Sequence, residues 1–183
     1  MKWIALAAAG LLGILLIVVV IGALLPRDHV AAMSARITAP PSAVWAALTD
    51  PSQYPKWRKD VIDVEMLPPA PTGPAWREKS GHGSIRMVMD VADAPRRMVT
   101  RIADDNVPFG GTWECIVEPD GASFSRVSIT ERGSVRNPVF RFVSRFVMGH
   151  TASIDAYLRA LGEHFGSEPI PQVVDVPRGA RGL

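Results

Sequence analysis

Ala39-Pro40-Pro41-Ser42-Ala43-Val44-Trp45-Ala46-Ala47-Leu48-Thr49-Asp50-Pro51-Ser52-Gln53-Tyr54-Pro55-Lys56-Trp57 is the stretch on which the fold turns. Pro40 and Pro41 end the extended segment before them and suit the first position of a helix. Ser42 or a neighbour is expected to cap a helix reaching Thr49, with Val44, Trp45 and Leu48 on one face. Asp50-Pro51 stops that helix and starts a second short helical piece, whose end brings Tyr54 and Trp57 together.

Outward from this stretch the period becomes two. On the N-terminal side, His29 to Ile37 reads as a first strand. On the C-terminal side, Ile62, Val64 and Met66 alternate with Asp63 and Glu65 up to Pro68-Pro69. Pro68 to Pro74 reads as a loop, Trp76 to Lys79 as a short strand, and Ser84 to Ala92 as a long one carrying Ile85, Met87, Met89 and Val91 on one face. Met98 to Ile102, Thr112 to Val117 and Ser123 to Glu131 continue the alternation between turns at Ala94-Pro95, Phe109-Gly110-Gly111 and Asp120-Gly121. Turns this short leave no room for crossover helices, so the sheet is antiparallel. Asn137-Pro138 then opens a long helix in which Phe140, Val143, Val147, Ile154, Leu158, Leu161 and Phe165 share one side, with Gly149 as a possible bend. The tail 167–183 has no period and is expected to be disordered.

Residues Trp3 to Leu25 contain no charged residue, His, Asn or Gln. They are apolar all round and reach about 34 Å as a helix, against a hydrocarbon core of about 30 Å. A cleaved secretory signal is the competing reading, with Lys2 as its basic start; the apolar run is longer than the usual ~7–15 residues, and Ile21-Gly22-Ala23 is a poor cleavage site. The expected organisation is a membrane anchor at 1–25, a linker at 26–29, one domain at 30–166 and the tail. Lys2 and the N-terminal amine face Arg27 and Arg36 across the span, a near-balance that tips only slightly towards an inside N-terminus and an outside domain.

Composition excludes several classes. With 20 basic and 18 acidic residues the chain has no strong field for nucleic acid, which is not an expected partner. Cys115 is the lone cysteine, so no disulfide forms within the chain. The four histidines, His29, His82, His150 and His164, have no metal-ligand spacing, and no nucleophile elbow, P-loop or dinucleotide fingerprint occurs; neither metal nor cofactor is expected.

The order of strand, two short helices, meander and long C-terminal helix resembles the helix-grip fold. The stretch Ala39–Trp57, with its Pro, Val-Trp, Asp-Pro and closing Trp, resembles the polyketide-cyclase/dehydrase-like branch of the START and birch-pollen-allergen-like superfamily (SRPBCC). The resemblance implies an α+β fold in which a curved antiparallel sheet of six to seven strands wraps a long C-terminal helix, here preceded by one transmembrane helix. It also implies a cavity between sheet and helix for lipids, polyketides or other apolar molecules, and no shared catalytic chemistry. Inward candidates for that cavity are Met66, Met87, Met89, Met98, Trp113 and Cys115 on strands, with Phe146 and His150 on the helix. The same residues could simply fill a core.

His150 is the best-placed candidate for a general acid or base; Glu114 and Asp90 lie mid-strand in phases opposite to Trp113 and Met89 and are expected to face solvent. The segment Val139 to Met148 is more apolar than one buried face requires, and its Arg141 and Arg145 would suit lipid headgroups or a protein partner. The leading expectation is therefore a membrane-tethered binding protein for an apolar ligand. A cyclase, dehydrase or hydrolase using the same cavity, and a ligand-free module for an unknown protein partner, are the alternatives.

Overall fold

The computed structural model describes residues 1–176. Helix α1 (Lys2–Leu24) precedes strand β1 (Asp28–Ile37), so the linker is shorter than expected and ends at Arg27. Helix α2 (Pro41–Thr49) follows, then a 3₁₀ turn (Pro51–Gln53) and helix α3 (Tyr54–Trp57). Pro40 is the N-cap of α2 and no side chain caps it, contrary to the role expected of Ser42; Pro41 occupies the first turn, where an amide donor is not needed. Asp50 instead caps the 3₁₀ turn by accepting from the Ser52 amide at 3.1 Å. The Tyr54 hydroxyl donates to the Leu48 carbonyl at 2.6 Å, folding α3 back on α2.

Six further strands form the meander: β2 (Asp63–Ala70), β3 (Gly73–Ser80), β4 (Gly83–Asp93), β5 (Arg97–Ile102), β6 (Phe109–Pro119) and β7 (Ser125–Val135). The Pro-rich stretch expected to be a loop is the β2–β3 hairpin, with an irregular register between Leu67 and Ala70. An eighth strand, β8 (Gln172–Val173), pairs with β1, so the single antiparallel sheet runs β2-β3-β4-β5-β6-β7-β1-β8. The strand count thus exceeds the expected six to seven, and part of the tail expected to be disordered is this edge strand. Pro169 holds it there, packed so closely on Gly162 that a Cβ at 162 would collide with its ring. The rest of that expectation falls on 177–183, outside the described residues.

The inner face of the sheet packs on helix α5 (Ala152–His164). Ile154, Leu158 and Leu161 are fully buried against Met33, Ile37, Met89, Met98, Cys115, Val127 and Ile129. Each such side chain contributes about 1.5–3 kcal/mol by leaving water. The outer face carries ion pairs, including Asp90 with Arg101 and Glu114 with Arg97 and Arg132.

The long C-terminal helix expected from Asn137 onward is broken. Asn137 Oδ1 caps the start by accepting from the amides of Val139 and Phe140, and α4 (Pro138–Val143) runs into a π turn (Ser144–Met148). Gly149 then adopts φ +77° and ψ 155°, a conformation a side chain rarely takes, and α5 starts afresh. The helix-grip role falls to α5 alone. α4 turns away from the core and packs on the last turns of α1, where a Cβ at Gly22 would collide with the Pro138 carbonyl.

Candidate ligand site

Alternation along β7 puts Val127, Ile129, Glu131, Gly133 and Val135 on the inner face, and Glu131 is the only acid among them. Its carboxylate is well supplied. Oε2 accepts from Trp113 Nε1 at 3.0 Å and from the Ser153 hydroxyl at 3.3 Å, while Oε1 lies 3.2 Å from His29 Nε2. His29 stands on β1 opposite Gly133, whose missing side chain makes room for the imidazole: a Cβ there would strike the His29 ring. The His150 ring stacks on His29 with centroids 4.1 Å apart, and its Nδ1 lies 3.2 Å from the Ser144 hydroxyl. Burial lowers the His150 pKa, the positive charges of His29 and Arg145 add to that, and Glu131 pulls the other way.

These side chains border a cleft of about 350 Å³ where α1 ends. Leu25 and Pro26 supply its apolar rim, His29, His150 and Ser144 its floor, and Arg27, Arg141 and Arg145 its cations beside a single acid, Asp28. Arg141 is almost fully buried. Its guanidinium donates to the carbonyls of Ala23 (3.3 Å), Leu25 (2.9 Å) and Arg136 (3.3 Å), capping the C-terminal end of α1 with a positive charge where the helix dipole favours one. A roomier depression of about 760 Å³ near Pro41, Pro95 and Pro119 carries only the loose Arg96–Glu118 pair, at 3.9 Å, and gathers no convergent polar groups.

The residues expected to line a cavity fall into three groups. Met89, Met98 and Cys115 are buried in the core, and burial pushes the Cys115 thiol up to about 12, which leaves it a poor nucleophile. Met87 and Trp113 are half-buried against that core, and Trp113 reaches the site through Glu131. Met66 and Phe146 are 51% and 59% exposed and are not brought to it: Met66 sits on edge strand β2, and Phe146 lies beyond the break at Gly149. His150 does lie in the cleft. His29 and Glu131 were missed, although the phase of Glu131 with Val127 and Ile129 already marked it as an inward acid.

Residues 28–165 match the family described as polyketide cyclase / dehydrase and lipid transport. The chain belongs to that family. Members of the wider START-like group share its architecture at low identity. A START superfamily protein from Mycobacterium smegmatis aligns with a TM-score of 0.62 at 13% identity, over 75% of this chain and 97% of that one. A conserved protein from Geobacillus kaustophilus gives 0.65 at 12%, over 79% and 99%. The Zhui aromatase/cyclase from Streptomyces sp. R1128 gives 0.64 at 16%, over 76% and 94%. No curated protein matches the chain. The polyketide cyclase-like family and these neighbours indicate a ligand-binding fold.

Proposed function

We propose that this protein is a membrane-tethered binder of an amphipathic small molecule or lipid, with α1 as the membrane span and the cleft at its end as the ligand site. The observation that carries the reading is the position of the cleft: its apolar rim is Leu25-Pro26, the residues that directly follow the apolar helix, and its cations are Arg27, Arg141 and Arg145. A ligand with an apolar chain and an acidic or polar head matches that lining, where three cations outnumber the one acid, Asp28. A molecule leaving a bilayer beside α1 would meet the cleft without crossing water. Native mass spectrometry of the detergent-extracted full chain tests this. A small molecule of defined mass should co-purify and be lost in a His150→Trp variant that fills the floor. An empty wild-type protein that also takes up no lipid from vesicles contradicts the reading.

The Ser144–His150 contact and the His29 ring, stacked on His150 and in contact with Glu131, favour a second reading, an enzyme of cyclase or dehydrase type in which His150, with its lowered pKa, is a neutral base at pH 7. The aromatase/cyclase neighbour makes polyketide-like substrates the first to screen. Turnover that survives His150→Gln at the wild-type rate removes His150 from that role.

A further inference from the structure

Phe140, Phe146, Val147 and Met148 are exposed side by side on α4 and the π turn, at 50%, 59%, 72% and 66% of their surface. Among the described residues nothing covers them. Their position along α1 says what does. The face of α1 that is shielded by contact contains Val18, Val19, Gly22 and Leu25, at helical spacing, and α4 is the element packed there. From Val18 to Leu25 the chain takes seven steps of about 1.5 Å, about 10 Å along the helix axis. An α1 of 23 residues that crosses a hydrocarbon core of about 30 Å has little length to spare, so its last 10 Å cannot all stand clear of the bilayer. Whatever packs along those turns shares their depth.

We infer that α4 and the π turn are immersed in the outer part of the same leaflet, with Phe140, Phe146, Val147 and Met148 against lipid acyl chains and Arg145 at headgroup level. The inference rests on the spanning role proposed for α1. The chemistry of the segment suits that depth. Arg141 lies against the end of α1 and donates from Nη1 and Nη2 to three carbonyls, leaving only its Nε without a partner among the described residues, while Arg145 is exposed and its stem can carry the guanidinium outward to phosphate. Asn137 and the two capped amides close the helix start, so no loose amide donor faces lipid there. The ligand cleft, whose wall includes Ser144 and Arg145 of the π turn, then opens at the headgroup layer.

The test places a nitroxide at a single introduced cysteine in the full chain, reconstituted in phosphatidylcholine–phosphatidylglycerol vesicles, with buried Cys115 left in place and unmodified chain as the labelling control. Ile14→Cys reports the middle of α1, Val147→Cys the π turn, and Ser123→Cys the exposed β6–β7 turn, at the end of the strands opposite to the one where α1 and α4 attach. The ratio of collisions with dissolved oxygen to collisions with a water-soluble nickel chelate should be several-fold higher at 14 and 147 than at 123. A high ratio at 14 with a low one at 147 overturns the immersion and leaves the span standing. A low ratio at 14 overturns both. A label at 147 shielded from both reagents points to a protein covering the patch and also overturns the inference.

Discussion

The inner face of the sheet carries two tryptophan–carboxylate pairs that differ in one partner. Trp76 Nε1 donates to Glu78 at 2.9 Å, and Trp113 Nε1 donates to Glu131 at 3.0 Å. Glu78 is then bound by Arg58 at 3.0 Å, whose guanidinium lies 5.2 Å from the rings of both Tyr54 and Tyr157. Glu131 is bound by His29 at the edge of the cleft. Arginine never gives up its proton in a protein, and the Glu78 and Asp60 carboxylates hold that of Arg58 more firmly still, so the first pair is a fixed brace among aromatic rings. The second pair has an imidazole in place of the guanidinium, and that imidazole borders an opening. The same unit is sealed among rings in one place and open to the cleft in the other.

The largest effect should come from breaking the brace. Glu78→Ala leaves an indole donor unpaired and the Arg58 guanidinium with Asp60 as its one remaining carboxylate, and should destabilise the domain by about 2 kcal/mol, read by chemical denaturation. Glu131→Ala should lose less, about 1–1.5 kcal/mol, because its partners border a cleft that water can enter. Equal losses in the two variants would dissolve the contrast. Gly149→Ala forces a side chain into a left-handed backbone and should lower stability by about 1 kcal/mol, while also tilting the Ser144–His150 side of the cleft; ligand retention in native mass spectrometry separates the two effects. The smallest effect concerns acid. Because the folded pKa of His150 lies below 6.5, the unfolded chain binds its proton more readily. Stability should therefore fall as the pH drops below about 6.5 and level off under the depressed folded value. His150→Gln should flatten that part of a plot of Tm against pH; an unchanged slope assigns it to other groups.

The strands were legible because period two and turn glycines act over a few residues. The broken helix was not. Phe140, Val143 and Val147 keep step with Ile154 and Leu158 on a helical count, so apolar spacing carried the expectation straight through Gly149, where only the backbone angle reveals the break. The eighth strand was too short to show any period, and its pairing depends on contacts with β1 that lie about 140 residues away in the chain. The site was legible in one part. His150 was found, yet the His29–Glu131 contact joins residues 102 apart, which no local pattern reports. The methionine-lined cavity failed for a different reason: inward phase shows which face a residue takes, and whether α5 then fills the space depends on packing, as it does around Met89, Met98 and Cys115.

The two borders of the sheet gain a particular importance if the chain is held in a bilayer. Molecules confined to a surface meet far more often than the same number in solution, and always in similar orientations, which is when unpaired strand edges zip into one another. β2 carries Pro68 and Pro69 in its exposed half, and β1 is screened at Met33–Ser34 by the two residues of β8. Prolines and very short border strands are poor templates for further pairing. The edges that look like untidy ends of the meander would, in a bilayer, let many copies share one membrane without pairing strand to strand.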